Sequence, residues 1–357
     1  MDKRDESTLV LFKNHNFNLK FFLLFFLIFF MVSCEEENYI NQSGKLVPKT
    51  VTEDTSLPSI TINGAKLHSQ AFGPVEGILV VCIHGGPGDN YKYLMNCKSL
   101  ADKGFRVVFY DQIGSGLSQR FPKHWYMDKG DNAIETIFYE ELKEIINYYK
   151  SSDNQKVVLL THSWGSILAT GFIGKFPNEI DGLILAEPGG LKWNDIKQYV
   201  ENSQSIKLWS EAFNDATYLD QFISGKENDH NILDYKYSLL QTSNTITGDV
   251  PATLGINGSF YPSRRQGAVI SNAMFEIGQN LNPDFTIGIN QFQQKVLFFY
   301  SSNNGAYPTS WAERISAPFV NKELIKVDDV GHSGMFDQLT IWNTITEPKI
   351  LDYLESL

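Results

Sequence analysis

The chain has 357 residues, 42% of them hydrophobic, which is enough apolar side chain for one large core or two modest ones and excludes disorder over most of its length. Its formal net charge is −11 and no basic block is present, which argues against nucleic acid, since binding phosphate needs a cationic footprint. Of the three cysteines, Cys82 falls in an apolar strand and Cys97 in a helix-like stretch, so neither a disulfide framework nor a metal cluster is expected.

Near the start, Phe21 to Val32 is apolar without interruption but short of the roughly 20 residues that span a bilayer. Lys13 and Lys20 precede it and Ser33-Cys34 ends it, the pattern of a secretory signal peptide over residues 1–33. Met31-Val32-Ser33-Cys34 resembles the lipobox of bacterial lipoproteins, with methionine where leucine is usual. That resemblance implies cleavage before Cys34, a lipid on Cys34 and a membrane-anchored protein of the bacterial cell envelope. The alternative is an uncleaved signal anchor. Residues 34–56 are polar and patternless and are expected to form a tether.

Two short alternating segments between Ser59 and Gly73 predict an antiparallel hairpin. Gly77 to Ile83 is a continuous apolar run, expected as a buried strand, and it ends in His84-Gly85-Gly86-Pro87-Gly88. A helix near Tyr91 to Lys103 and a strand from Phe105 to Tyr110 follow, the latter ending in Asp111-Gln112-Ile113-Gly114-Ser115-Gly116-Leu117-Ser118. A helix over Ala133 to Tyr149 then leads into Val157-Val158-Leu159-Leu160, another buried strand. Ile180 to Ala186, Gln294 to Tyr300 and Glu323 to Asp328 are the remaining strands, and Ile341 to Leu357 is the closing helix. Strands alternating with helices at this spacing predict a doubly wound, mostly parallel α/β sheet. Leu191 to Phe292 is too long for a structureless loop and carries amphipathic pieces, so a folded, mainly helical cap is expected over residues 188–293, between core segments 57–187 and 294–357.

Thr161-His162-Ser163-Trp164-Gly165 sits where the strand breaks into a helix beginning near Trp164. It nearly matches the G-x-S-x-G elbow, in which a strained turn lifts a serine hydroxyl above the sheet edge, which makes Ser163 the candidate nucleophile. Thr161 stands at the first glycine position, and helix capping by Thr161 and Ser163 is the competing reading. Paired glycines after the Ile83 strand let backbone amides point inward and hold a developing oxyanion. The Gly114-Ser115-Gly116 stretch lacks the lysine and the spacing of a phosphate loop.

His84 to Gly88, Asp111 to Ser118 and His162 to Ser166 together, in this order, resemble the proline iminopeptidase branch of the α/β-hydrolase fold. The resemblance covers roughly Thr61 to Ala186 and Lys295 to the end. It implies the backbone amides of Gly86 and Trp164 as oxyanion donors and a structural role for Asp111. His332 follows the last strand, where the chain order nucleophile, acid, histidine of this fold puts the base.

The acid is where the chain departs from that family. The family has G-R-Y-D after the Gln294–Tyr300 strand; here the aligned run is Ser301-Ser302-Asn303-Asn304, with Asn304 at the aspartate position. A neutral amide cannot stabilise an imidazolium, so an anion is expected to approach His332 from elsewhere. Glu187, closing the Ile180–Ala186 strand, is the candidate, since some haloalkane dehalogenases of this fold place their acid there. Asp328 and Asp329 are alternatives, and Glu187 could instead be a cap hinge or a substrate-amine ligand. In the cap, Glu211, Asp215, Asp220, Glu227, Asp229 and Glu276 are candidates to hold a peptide's free amine.

The expectation is a serine hydrolase that needs no cofactor and no metal, acting on a small acyl or N-terminal aminoacyl substrate through Ser163, His332 and Glu187. An esterase, thioesterase or lactonase on the same fold is the nearest alternative. A degenerate hydrolase that only binds a small molecule or short peptide is the other.

Overall fold

The computed structural model describes residues 46–203, 229–240, 246–248 and 265–357. Phe21 to Val32, Cys34, Glu211, Asp215, Asp220 and Glu227 lie outside the described residues. Among the described residues no helix is long and apolar enough to cross a membrane.

Eight strands form one sheet: β1 (Ser59–Ile62), β2 (Ala65–Phe72), β3 (Leu79–Ile83), β4 (Arg106–Tyr110), β5 (Val157–His162), β6 (Gly182–Ala186), β7 (Val296–Ser301) and β8 (Lys322–Val327). Their order is β1-β2-β4-β3-β5-β6-β7-β8. The first two joints, β1 to β2 and β2 to β4, are antiparallel and all the others parallel. β1 and β2 join through Asn63-Gly64, both at positive φ, the backbone hand that a tight hairpin needs.

β3, β5, β6 and β7 are buried along their whole length, which is why they read as unbroken apolar runs rather than alternating ones. Alternation decides which face each residue fills. Val81, Leu159 and Leu183 pack on one side with helix α3 (Trp164–Lys175). Val80, Leu160 and Ile184 pack on the other with α1 (Tyr91–Lys103), which is wound as a 3₁₀ helix, and the closing helix α8 (Glu347–Glu355). Cys82 and Cys97 are free thiols in this second layer. The helix α2 (Glu140–Tyr149) is preceded by a wider π turn at Glu135–Tyr139, so the segment expected as one helix from Ala133 is wound in two ways.

The cap enters after β6. Its described parts are α4 (Trp193–Ser203), α5 (His230–Leu240) and α6 (Ala268–Leu281); α7 (Thr309–Ser316) already belongs to the second core segment. Asp234 of α5 anchors the cap. It is fully buried and accepts from Arg120 Nε at 3.0 Å, Arg265 Nε at 2.7 Å and the Ala268 amide at 3.0 Å.

Residues 34–56, expected as a tether, differ from that expectation from Leu46 onward. Val47 and Val51 are buried, and the Val51 amide donates to the Leu117 carbonyl. Arg265 Nη1 donates to Pro48 O at 2.9 Å and to Glu53 Oε2 at 2.8 Å. Two apolar anchors and a partner for a buried guanidinium hold this polar stretch against the cap.

Candidate active site

The β5–α3 junction turns sharply at Ser163, whose φ of 52° and ψ of −118° are strained for a residue with a Cβ. The neighbours make that turn possible. A methyl group on Gly165 would stand 2.4 Å from the Ile83 carbonyl oxygen, so only glycine lets α3 approach β3 this closely. Thr161 is accommodated because its buried hydroxyl has partners: it donates to Ile184 O at 2.8 Å and lies 2.9 Å from Ser166 Oγ. The Ser163 amide donates to Ala186 O, which sets the elbow beside the end of β6.

The loop after β3 folds over Ser163. A methyl on Gly85 would lie 3.0 Å from Ser163 Cβ, and Gly86 has a φ of 119° that glycine alone adopts readily. His84 fixes this loop. Its Nε2 accepts from the Gln112 amide at 3.0 Å, so the proton sits on Nδ1, which donates to Gly85 O at 2.7 Å. Gln112 also donates to His84 O and accepts from the Trp164 indole at 3.1 Å. Neither the Gly86 nor the Trp164 amide donates to another group among the described residues, and Gly86 is exposed. The Gly86 donor is therefore open to a ligand, while Trp164 is buried.

Asp111 supports the same region from below, accepting from His68 Nδ1, the Tyr91 amide and the Leu117 amide at 2.8 to 2.9 Å. Burial alone would raise its carboxyl, but the His68 hydrogen bond and charge hold it below the ordinary range.

Glu187 is the residue after β6, at a φ of 44° and fully buried. Its Oε1 accepts from the Ser301 amide at 2.6 Å and the Ser301 hydroxyl at 2.5 Å, and its Oε2 accepts from Asn304 Nδ2 at 2.8 Å. Oε2 also lies 2.5 Å from His332 Nδ1. A carboxylate that already accepts from three donors is an acceptor here as well, so Nδ1 carries the ring proton and Nε2 is left to take one. Asn304 thus touches the carboxylate; its Nδ2 is 3.4 Å from His332 Nδ1, but both are donors. Asp328 pairs with Lys326 at the surface and Asp329 is exposed, and neither bonds to His332.

Sequence reasoning did not single out three further contacts. Tyr199 of α4 brings its hydroxyl to 3.4 Å from His332 Nδ1 and accepts from Asn304 Nδ2 at 3.3 Å. Thr247 O accepts from the His332 amide. Tyr93 reaches Gly85 and His162. Tyrosines spaced through a helix carry no signal that separates such a role from core packing. Of the six cap carboxylates, Asp229 and Glu276 are described, and Glu276 pairs with Lys123 at 3.0 Å. Among the described residues no three His, Cys, Asp or Glu side chains gather to hold a metal ion.

A family model described as the alpha/beta hydrolase fold matches residues 78–339. The chain belongs to the α/β-hydrolase fold family. Among curated proteins it is similar to the proline iminopeptidase of Saccharolobus solfataricus, 37% identical over 109 residues that cover 30% of this chain and 32% of that enzyme. It is similar also to the proline iminopeptidase of Thermoplasma volcanium, 34% identical over 117 residues, 32% of this chain and 36% of the relative. The matches thus span about a third of these relatives. A solved haloalkane dehalogenase variant from Bradyrhizobium elkanii superimposes with a TM-score of 0.57 at 15% identity, covering 84% of this chain and 96% of that one, a likeness of fold alone.

Proposed function

We propose that the protein is a serine hydrolase acting on a small acyl or N-terminal aminoacyl substrate. Ser163 Oγ attacks the substrate carbonyl and His332 Nε2 takes the serine proton. The tetrahedral oxyanion accepts from the Gly86 and Trp164 amides, and the imidazolium is stabilised by Glu187. His332 then passes the proton to the leaving group, and water repeats the sequence on the acyl-enzyme. The observation that carries this reading is the bond between Glu187 and His332 on the sheet edge that also carries the strained Ser163 turn. The proline iminopeptidase relatives support an aminoacyl substrate, whereas the pairing of Glu276 with Lys123 favours an esterase or lactonase as the second reading.

The test is labelling by a fluorophosphonate probe, with Ser163→Ala as control, followed by comparison of prolyl p-nitroanilide with p-nitrophenyl acetate. Labelling abolished by Ser163→Ala is expected. Wild-type protein that takes no label and cleaves neither compound would instead be a ligand-binding protein. In the same reading the chain is exported and held at the bacterial envelope by a lipid on Cys34, on the strength of the Phe21–Cys34 sequence alone.

A further inference from the structure

Three hydrogen bonds run through two side chains that this mechanism does not use. The Gly85 amide donates to the Tyr93 hydroxyl at 2.8 Å. That hydroxyl lies 2.8 Å from His162 Nδ1, and His162 Nε2 lies 2.9 Å from the carbonyl oxygen of His332. A carbonyl can only accept, so His162 carries its proton on Nε2, and in a neutral ring Nδ1 is then a lone pair that the Tyr93 O–H must face. Every bond thus has a defined direction, from the oxyanion loop to the loop that bears the base.

We propose that Tyr93 and His162 are positioning residues that lock the oxyanion loop to the base loop across Ser163, holding the Gly86 donor and the His332 ring at a fixed spacing. The inference rests on the catalytic reading above. Gly85 is gripped at both ends, its amide by Tyr93 and its carbonyl by His84. That carbonyl belongs to the same trans peptide as the Gly86 N–H and points the opposite way, so restraining Gly85 aims the Gly86 donor. On the other side, Glu187 holds only the His332 ring, whereas His162 holds the His332 backbone. Misplacing a catalytic group by about 1 Å can cost roughly a hundredfold in rate, so a restraint on the backbone has a kinetic effect that ring orientation alone cannot supply.

The surroundings suit a ring that stays neutral. His162 is buried, its ring edge-on to Tyr93 and Phe336. Its centroid is 4.3 Å from that of His332. Burial, and then the neighbouring His332, hold His162 well below the ordinary histidine range. When His332 becomes charged during turnover, no second cation faces it from this side.

Tyr93→Phe keeps the ring and removes only the relaying hydroxyl, so it separates relay from packing. In the full chain, Tyr93→Phe should slow fluorophosphonate labelling and kcat by roughly ten- to a hundredfold, with KM nearly unchanged and the thermal midpoint close to wild type. His162→Gln, whose amide can replace the Nε2 donor, should keep more activity than His162→Phe. The Tyr93→Phe/His162→Phe double variant should be no slower than the worse single one, because either change breaks the same chain. Effects that multiply independently, or a folded Tyr93→Phe as fast as wild type, would overturn the proposal. A readout independent of turnover is the nitrogen-15 spectrum of the histidine rings. His162 should be a neutral Nε2–H tautomer at pH 7, and Tyr93→Phe should shift the His332 ring signals. If the wild type proves inert, the catalytic reading fails, and His332 signals unmoved by Tyr93→Phe would then sink the linkage itself.

Discussion

Glu187 and His332 meet at 2.5 Å although a whole strand separates the elements that carry them, Glu187 leaving β6 and His332 lying beyond β8. β7, the strand between, contributes three of the donors that hold the carboxylate: the amide and hydroxyl of Ser301 at its end and the Asn304 side chain just past it. The residue at the family's acid position thus donates to a carboxylate that comes from the neighbouring strand. The positive φ at Glu187 is the local cost of that exchange.

Glu187→Gln should lower kcat by about two to four orders of magnitude with KM little altered, because the variant cannot stabilise the imidazolium. Asn304→Ala removes one of several donors and should cost far less. Asn304→Asp should bring no gain, since it sets a second carboxylate against the first. A large rise in activity from Asn304→Asp in steady-state kinetics would count against Glu187 as the acid.

Gly165→Ala introduces a methyl 2.4 Å from Ile83 O, so α3 must move away from β3. Denaturant unfolding should show a loss of about 1–3 kcal/mol, on the scale of overpacked cores. Activity should fall further than stability, because the displaced helix carries the Trp164 amide.

Stability should respond to pH in two opposite senses. The folded values of Asp111 and His162 lie below their unfolded ones, so their contributions are present above roughly pH 4 and pH 6.5 respectively and are lost as the pH falls toward the folded values. Glu141 is the reverse. Burial raises it well above the carboxylate range, and one of its oxygens has no partner. Its favourable contribution is therefore present below about pH 4.5 and is lost as the pH rises toward the folded value. Thermal melts of Glu141→Gln against wild type should diverge as the pH rises from 5 to 8, with the variant gaining. A constant offset would contradict this.

Asp234→Asn leaves the buried guanidiniums of Arg120 and Arg265 short of a counter-charge and should destabilise the protein by about 3–5 kcal/mol in chemical denaturation. Limited proteolysis should then cut first in the cap.

Cys34→Ala should move the protein from the membrane to the soluble fraction of cells, as seen by fractionation and blotting. Unchanged membrane association would remove the lipid-anchor reading.

β3, β5, β6 and β7 were legible because both of their faces are buried, so each is a plain apolar run ended by a glycine-rich or hydroxyl-bearing turn. Ser163, Glu187, Asn304 and His332 could each be placed at a strand end by counting along the chain. What the chain order could not convey is which of the acidic and amide groups bends toward the histidine ring, since that depends on a positive φ at Glu187 and on two donors from Ser301. The docking of residues 47–53 was missed for a similar reason. A polar composition signals solvent, and the partner that Glu53 finds in Arg265 is 212 residues away.

That separation has a consequence for how the molecule is made. The segment around Glu53 is synthesised long before the cap, and its guanidinium partner does not exist until most of the sheet has been translated. The strap therefore closes late, as a long-range contact of the slow kind, and a chain halted before Arg265 should keep its leading segment loose and open to protease. Docking of residues 46–56 is in effect a mark that synthesis has passed Arg265.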